Sequence, residues 1–340
     1  MSILKTLTTG TLAVIAMAAS LNAKDFSGAE LYTNEEYTYG KFEARMKMAA
    51  ASGTVSSMFL YQNGSEQASA QRWVEVDIEV LGKNPNSFQS NIITGKAGAQ
   101  VTSEKHHSVS PAADQGFHTY GLEWTPDYVS WTLDGKEVRR TKKGDNKNQV
   151  ENLIGTQGLR FNIWSSESAE WVGNFDESKL PLFQFINWVK VYKYTPGRGE
   201  NGSDFTLDWT DNFDSFDSGR WSKGNWTFDG NRVDLTPNNI YSKDGMLILA
   251  LTRKGQESFN GQVPQDNEPE PATSSSAAPL PESSSSSEPF IPPMSSSSEP
   301  ITAIQQVRTP QMQPKEVRGV VNAKGAHVKE INRYRVNFKY

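Results

Sequence analysis

Three carboxylates alternate with aliphatic residues in the sequence WVEVDIEVLG, which begins at Trp73. Glu75, Asp77 and Glu79 take every second position, and a period of two is typical of a β-strand, whose successive side chains point to opposite faces. The aliphatic face is suited to a core, so the acidic face must meet something else. Because acidic residues are depleted in strands and like charges on one face repel, we interpret the row as functional rather than as a solvated strand face.

The spacing of this acidic row indicates acid–base chemistry. A strand rises about 3.3 Å per residue, so the backbones of Glu75 and Glu79 should lie roughly 13 Å apart. Side chains that lean together would bring the two carboxyl groups to about 5 to 6 Å, which fits a retaining glycosidase better than an inverting one. Desolvation and mutual repulsion raise the pKa of at least one carboxyl, which places an acid beside a base.

Composition excludes several other classes of function. The chain has 340 residues, a formal net charge of -5, no cysteine and four histidines. The mild negative charge gives no argument for a nucleic-acid partner. Without cysteine there are no disulfides or thiolate metal sites, and His106, His107, His118 and His327 lack zinc-ligand spacing. We read the adjacent pair His106 and His107 as surface residues.

The chain divides into four predicted segments. Residues 1–23 carry Lys5, a short apolar core and a small-residue end, as in a secretory signal peptide, so we expect an exported protein. Residues 24–263 hold short alternating runs separated by turn signals, which predict one all-β antiparallel sandwich of jelly-roll type. The predicted strands include 39–49, 117–125, 128–133, 185–194 and 246–252, with Asp-Gly turns at 134–135, 229–230 and 244–245.

The remaining segments differ in composition. Residues 264–302 are rich in serine and proline and predict an extended linker. Residues 303–340 hold eight Lys and Arg against two Glu, a basic tail that either binds a partner or a surface or is simply solvated. Inside the sandwich region, GRGENGS at 197–203 is a flexible-looking break that on composition alone could be a domain boundary.

Six motifs carry a resemblance to a known family: EVDIEVLG after Trp73, YGKFEARMKM, SSMFLY, FHTYGLEWTPDYVSWTLDG, LRFNIW and INWVKVY. Together they resemble glycoside hydrolase family 16, and most closely its lichenase branch. Features that usually open such a chain, DWTDNFDSFDSGRWSKGNWTFDGNRVDL and KDGMLILALTR, here follow the acidic strand. The resemblance therefore implies a circular permutation with its joint near 197–203, one domain across that break, and a concave substrate cleft.

The resemblance also implies roles for the acids: Glu75 as nucleophile, Glu79 as general acid and then base, and Asp77 as the group that orients Glu75. It implies a secreted endo-β-glucanase that hydrolyses β-1,4 linkages in mixed-linkage 1,3-1,4-β-D-glucans with retention and without a redox cofactor. The unbroken E-x-D-x-E spacing is shared with xyloglucan transglycosylases, which are the nearest alternative. A non-catalytic carbohydrate-binding jelly roll is the alternative from another class. We expect a monomer with a β-glucan substrate.

Candidate binding residues come from two sources. Strand parity puts Phe59, Tyr61 and Asn63 on one face, and Arg160, Asn162 and Trp164 on another, and such mixed aromatic and polar rows suit a glucan cleft. The resemblance adds Glu30, Gln89, Asn91 and Trp171, and it implies a structural calcium near Asn187, Asn212 and Gly245, with an amide at 187 where an acid is usual. We assign Trp124, Trp131 and Trp188 to packing, and leave Trp209 and Trp226 open between core and cleft.

Overall fold

The computed structural model describes residues 23–267 and Arg333–Tyr334. The strands are β1 (Phe26–Thr33), β2 (Gly40–Lys47), β3 (Thr54–Tyr61), β4 (Glu75–Leu81), β5 (Ser87–Lys96), β6 (Ala99–Val101), β7 (Lys105–Ser108), β8 (His118–Trp124), β9 (Tyr128–Leu133), β10 (Lys136–Lys142), β11 (Gly158–Ser165), β12 (Leu182–Tyr194), β13 (Phe205–Asp211), β14 (Trp221–Lys223), β15 (Thr227–Phe228), β16 (Val233–Leu235), β17 (Ile240–Lys243), β18 (Met246–Arg253) and β19 (Arg333–Tyr334). The helices are α1 (Gln149–Asn152) and α2 (Ala169–Val172). Single 3-10 turns lie at Glu177–Lys179, Glu200–Gly202 and Pro237–Asn239. Within the described ranges, no helix has the length and apolar character needed to cross a membrane.

The strands form two facing sheets. The inner sheet has the order β14–β1–β11–β3–β4–β5–β7. The outer sheet has the order β17–β18–β12–β2–β8–β9–β10, and β13 pairs with the second half of β12. All of these pairings are antiparallel, and β18 also pairs with β1, which joins the two sheets at one edge. The predicted all-β antiparallel sandwich is confirmed.

The core lies between the sheets because each strand turns one face inward. On the outer sheet, Phe42 and Met46 of β2 are fully buried. On the inner sheet, Val76, Ile78 and Val80 of β4 are fully buried as well. Each such side chain contributes about 1.5–3 kcal/mol by leaving water, so the hydrophobic pattern fixes which face of β4 points to the core. The acidic residues of β4 must therefore face away from it.

Two of the predicted Asp-Gly turns close tight hairpins. Asp134 and Gly135 have φ values of 49° and 75° between β9 and β10, and Asp244 and Gly245 have φ values of 50° and 70° between β17 and β18. Positive φ at both central residues is the geometry of a type I′ turn, which matches the twist of the strands that it joins. Both turns therefore fix the register of their hairpins.

The glycine-rich break at 197–203 is the loop of a hairpin. The amide of Thr195 donates to the carbonyl of Asp204 at 2.7 Å, and β12 and β13 pair antiparallel on either side of the loop. The chain after the break also returns to β12 through β18. Residues on both sides of the break thus share one sheet.

A segment after β18, residues 254–266, lies against the outer sheet. The ring of Phe259 packs edge-on against Phe183 with ring centroids 4.9 Å apart. Arg45 of β2 donates two hydrogen bonds to the carboxylate of Asp266, at 3.0 and 2.8 Å, and the side-chain amide of Asn187 donates to the same carboxylate at 2.9 Å. We call residues 254–266 the C-terminal strap; its contacts extend beyond Val263, where the sequence predicted the sandwich region to end.

The predicted signal peptide, nearly all of the predicted linker, and the basic tail apart from Arg333–Tyr334 lie outside the described residues. Those segments stay predictions.

Candidate active site

The acidic row occupies the middle of the inner sheet. Strand β4 pairs with β3 on one side and β5 on the other, so two ladders of hydrogen bonds hold Glu75, Asp77 and Glu79 in place. Directly opposite residues share a face in an antiparallel pair, so their side chains are neighbours. The neighbours from β3 and β5 that face the same side as the acids are Ser57, Phe59, Tyr61, Gln89, Asn91 and Ile93.

These side chains line a cleft with a volume of about 980 Å³. The three acids and every predicted binding residue lie on its wall: Glu30, Phe59, Tyr61, Asn63, Gln89, Asn91, Arg160, Asn162, Trp164 and Trp171. The volume is at the upper end for small-ligand pockets, and the wall combines aromatic rings with a few fixed polar groups. The structure therefore brings all of these residues together at one site, while their individual roles stay predictions.

Glu75 is held by an aromatic donor. The indole N–H of Trp73 donates to a carboxylate oxygen of Glu75 at 2.5 Å. Burial raises the pKa of Glu75 to about 7, while the Trp73 hydrogen bond and the positive charge of Arg160 act in the opposite direction. These two groups favour the charged form, which is the form that a nucleophile needs.

Asp77 is the most deeply placed of the three acids, with 3% of its surface exposed. Burial, together with the charges of Glu75 and Glu79, raises the pKa of Asp77 well above its usual range. Its Oδ2 atom is buried without a protein donor. A proton retained on Asp77 would satisfy that oxygen by donating to the neighbouring carboxylate of Glu75, with which Asp77 shares a hydrogen bond.

Among the described residues, no group near Glu79 favours its charged form. Burial raises the pKa of Glu79 to about 8, and the negative charges of Glu75 and Glu104 contribute to the same shift. Its carboxyl group therefore keeps a proton at neutral pH, as a general acid requires. The row combines on one strand a carboxyl group that keeps its proton and a carboxylate that is held by a hydrogen bond. The roles of Glu79 and Glu75, and the separation of about 5 to 6 Å between their carboxyl groups, stay predictions.

A buried ion pair closes one part of the cleft wall. Arg160 donates to Glu30 at 2.5 Å and also to the side-chain oxygen of Asn63, and both charged residues are less than a tenth exposed. Asn162 contacts Glu30 as well, and it accepts a hydrogen bond from Ser57 at 2.6 Å. Sequence parity predicted Asn63, Arg160 and Asn162, and the resemblance predicted Glu30. One hydrogen-bonded network joins all four in the structure.

Aromatic rings cover much of the remaining wall. The indole of Trp171 donates to Gln89 at 3.1 Å, and the ring of Trp164 lies 5.8 Å from that of Trp171 between centroids. The hydroxyl of Tyr61 donates to Glu66, which restricts the rotation of the Tyr61 side chain on the cleft wall. Flat, fixed rings of this kind suit the apolar faces of sugar units.

Sequence reasoning missed several residues of this wall. Trp226, which the sequence left open between core and cleft, lines the cleft together with Phe228. Glu104 and His106 also line it, and His106 is exposed, as the prediction of a surface residue expected. His107 is half-buried rather than on the surface, and its Nε2 lies 2.8 Å from the hydroxyl of Ser90. Adjacent residues of a strand point to opposite faces, but nothing in the sequence shows which of the two histidines faces the cleft.

The predicted calcium positions lie near one another on the outer sheet. The pairing of Ile186 with Leu247 puts Asn187 close to Gly245, and the pairing of Val189 with Asp211 brings Asn212 to the same end. The Nδ2 of Asn187 donates to Asp266, so a cation there would bind the side-chain oxygen of Asn187 together with backbone carbonyl oxygens. Within 23–267, no cluster of three or more His, Cys, Asp or Glu could hold a metal ion.

Comparisons with known proteins bear on the same region. The sequence profile described as "Glycosyl hydrolases family 16" matches residues 4–180, a span that includes the acidic row and every predicted binding residue. A beta-glucanase of Fibrobacter succinogenes is 72% identical over 353 aligned residues, covering 100% of both chains. A beta-glucanase of Brevibacillus brevis is 34% identical over 177 residues, covering 52% of this chain and 62% of that protein. Among solved structures, a prokaryotic beta-1,3-1,4-glucanase (lichenase) derived from a mouse hindgut metagenome has 28% identity, covers 48% of this chain and 77% of its own, and gives a TM-score of 0.40.

Proposed function

The chain belongs to glycosyl hydrolase family 16 and is a glycoside hydrolase, and from this premise we propose that it hydrolyses β-1,4 linkages in mixed-linkage 1,3-1,4-β-D-glucans with retention of configuration. The observation that carries the proposal is the row of three carboxyl groups on β4, placed in the middle of a long aromatic cleft. The names of the relatives, both beta-glucanases, support a glucan as the substrate.

The proposed reaction has two steps. In the first, Glu79 gives its proton to the oxygen of the departing sugar while the carboxylate of Glu75 attacks the anomeric carbon, which forms a glycosyl–enzyme ester. The Trp73 indole and Arg160 stabilise the charged form of Glu75, and the raised pKa of Glu79 keeps its proton available. Asp77, with its retained proton, orients Glu75.

In the second step the roles of the carboxyl groups reverse. Glu79, now charged, removes a proton from a water molecule, and the resulting hydroxide displaces Glu75 from the anomeric carbon. Two inversions at that carbon give net retention. Because the two carboxyl groups supply the nucleophile, the acid and the base, the chemistry needs no redox cofactor.

Product analysis on several glucans tests the proposal. Wild-type protein is incubated with barley β-glucan, lichenan, laminarin, carboxymethylcellulose and xyloglucan, and new reducing ends and chain lengths are measured. We expect hydrolysis of the first two only, with the β-anomer formed first by NMR. Net hydrolysis of laminarin or carboxymethylcellulose would overturn the assigned specificity, and redistribution of xyloglucan chain lengths without new reducing ends would indicate a transglycosylase.

Alanine variants with azide assign the two glutamates. On an aryl β-glycoside whose leaving group needs no proton, Glu79→Ala can still form the glycosyl–enzyme, and azide can attack it without a base, so we expect azide to restore turnover with a β-glycosyl azide as product. In Glu75→Ala, azide can replace the missing nucleophile, and we expect an α-glycosyl azide. The exposed Glu177→Ala serves as the matched control and should keep wild-type hydrolysis. The reverse pattern of azide products would exchange the two roles.

Three further features belong to the same proposal. We propose that the chain is circularly permuted, which is supported by the pairing of β13 and β18 with β12 after the 195–204 hairpin. A variant that begins at residue 203 and joins residue 263 to residue 24 should fold and hydrolyse glucan.

We propose export through cleavage after residue 23 with surface retention by the tail, which N-terminal sequencing and deletion of 303–340 would test. We also propose a structural calcium at Asn187, Asn212 and Gly245.

A further inference from the structure

A buried arginine from the outer sheet lies beneath the cleft. Arg139 is in β10, and only 5% of its surface is exposed. Its Nη1 donates to the backbone carbonyl of Ser90 at 3.0 Å and lies 2.9 Å from the hydroxyl of Ser90, and its Nη2 donates to the hydroxyl of Ser103 at 2.8 Å. The guanidinium thus crosses from the outer sheet to β5 and to the segment between β6 and β7.

The same hairpin contacts the acidic strand directly. The guanidinium carbon of Arg139 lies 4.3 Å from the ring centroid of Trp131, which is fully buried in β9. The indole N–H of Trp131 donates to the backbone carbonyl of Asp77 at 2.9 Å. The sequence assigned Trp131 to packing alone. The structure shows that Trp131 also hydrogen-bonds β4, and that Arg139 of the same hairpin hydrogen-bonds β5.

Arg139 is also linked to the wall of the cleft. Ser103, which it binds, donates its backbone N–H to the side-chain oxygen of Asn91 at 2.9 Å. Asn91 lies directly opposite Asp77 in the sheet, and Glu104 follows Ser103 on the cleft wall. Any shift of Ser103 would therefore be passed to Asn91 and Glu104.

The hydrogen bonds of Arg139 go to neutral groups. Within 23–267 its guanidinium donates to serine oxygens, and its Nε is buried without an acceptor. The acidic side chains that face it are Glu104 from the β6–β7 segment and Asp77 from β4, and His107 of β7 is the nearby titratable group. Burial and the charge of Arg139 lower the pKa of His107 to about 4, so that ring is neutral. Asp77 keeps its proton, so Glu104 is the carboxylate that offsets this buried cation, which would be costly without one.

We propose that Arg139 is a positioning residue for hydrolysis: it anchors the cleft wall that carries Asn91 and Glu104, and it supplies a buried positive charge beneath the acidic row. The inference rests on the proposed function of that row. Arg139 does not touch the substrate, so it acts through the residues that do. Its planar fork binds two serines at once, which a lysine cannot reproduce.

Two substitutions separate the fork from the charge. Arg139→Lys keeps the charge and loses the fork, so we expect kcat on barley β-glucan to fall about 10- to 100-fold with the pH profile unmoved. Arg139→Met loses both, so kcat should fall at least as far, and the whole pH profile of kcat/KM should move about half a unit to higher pH, because removing a positive charge raises the pKa values of a coupled set of carboxyls. Arg140→Met, at the partly exposed neighbouring position that stacks on Tyr128, is the matched control and should leave both unchanged.

Wild-type protein is assayed in parallel, so that its failure to hydrolyse the glucan refutes the proposed function rather than this inference. If the wild type is active and Arg139→Lys, folded by circular dichroism, keeps kcat within about twofold, the anchoring role is wrong. If Arg139→Met loses activity with an unmoved pH profile, the charge role is wrong. Should Arg139→Met fail to fold, Arg139→Lys still decides the anchoring role by its kcat.

Discussion

Replacing Glu79 by glutamine should stabilise the fold at alkaline pH while it abolishes hydrolysis. The pKa of Glu79 is raised from 4.5 to about 8, so the folded state binds this proton more tightly than the unfolded state does. The free energy of unfolding must therefore fall as the pH rises from 4.5 towards 8, and the penalty is complete above that range. At about 1.4 kcal/mol for each pKa unit, the difference between the unfolded and folded pKa values of Glu79 limits this loss of unfolding free energy to about 5 kcal/mol.

The expected gain is smaller than this limit. Glu79 is partly exposed to the cleft, and its proton is coupled to those of Glu75 and Asp77, so we expect Glu79→Gln to be about 2 kcal/mol more stable than wild type at pH 8. At pH 4 the wild-type carboxyl is protonated and neutral like the amide, so the two proteins should unfold at the same urea concentration.

Urea unfolding at pH 4, 6 and 8, followed by tryptophan fluorescence, measures the effect. Glu177→Gln, an exposed glutamate bound to Arg253, is the matched control and should show no such gain at pH 8. Two results would contradict the prediction: Glu79→Gln is no more stable than wild type at pH 8, or its gain is the same at pH 4. Either result would mean that burial imposes no proton-linked cost at this position.

Three other predictions concern contacts away from Glu79. Arg160→Lys keeps the charge beside Glu30 but loses the fork that also reaches Asn63, so KM for the glucan should rise about tenfold, which steady-state kinetics would show; an unchanged KM would remove Arg160 from substrate binding. Asp266→Asn weakens the bidentate contact with Arg45, so the unfolding free energy should fall by about 1–2 kcal/mol in a thermal melt while kcat stays at the wild-type value; loss of kcat at full stability would contradict this. If calcium binds as proposed, Tm should rise with added Ca²⁺ and fall with EDTA. A Tm that neither addition changes would contradict the proposed calcium site.

The sequence predicts the site well where a local pattern carries it. The alternation through Glu75, Asp77 and Glu79 settles which side chains share a face, because period two is a property of any strand. The same parity places Phe59 with Tyr61, and Arg160 with Asn162, and the structure puts all four on the cleft wall. Each of these inferences needs only the identity of a strand and the direction of one face.

Other features depend on which distant strands meet, and no local pattern contains that information. Arg139 sits in an ordinary charged hairpin of the sequence, and only the packing of the outer sheet under β5 brings it to Ser90 and Ser103. Asp266 lies in the segment that composition assigns to the linker, yet Arg45 binds it from a strand more than two hundred residues earlier. Trp226 could be core or cleft on sequence alone, because both environments accept an indole.

The C-terminal strap sets the position on the sandwich of a group linked after residue 267. Arg45 points to the outside of β2, since its neighbours Ala44 and Met46 are buried, and it holds Asp266 on the surface opposite the acidic row. A bead, a resin or a second enzyme linked after residue 267 would therefore be attached on the side of the outer sheet, away from the cleft. Immobilisation through that point should leave the mouth of the groove open to a bulky polysaccharide.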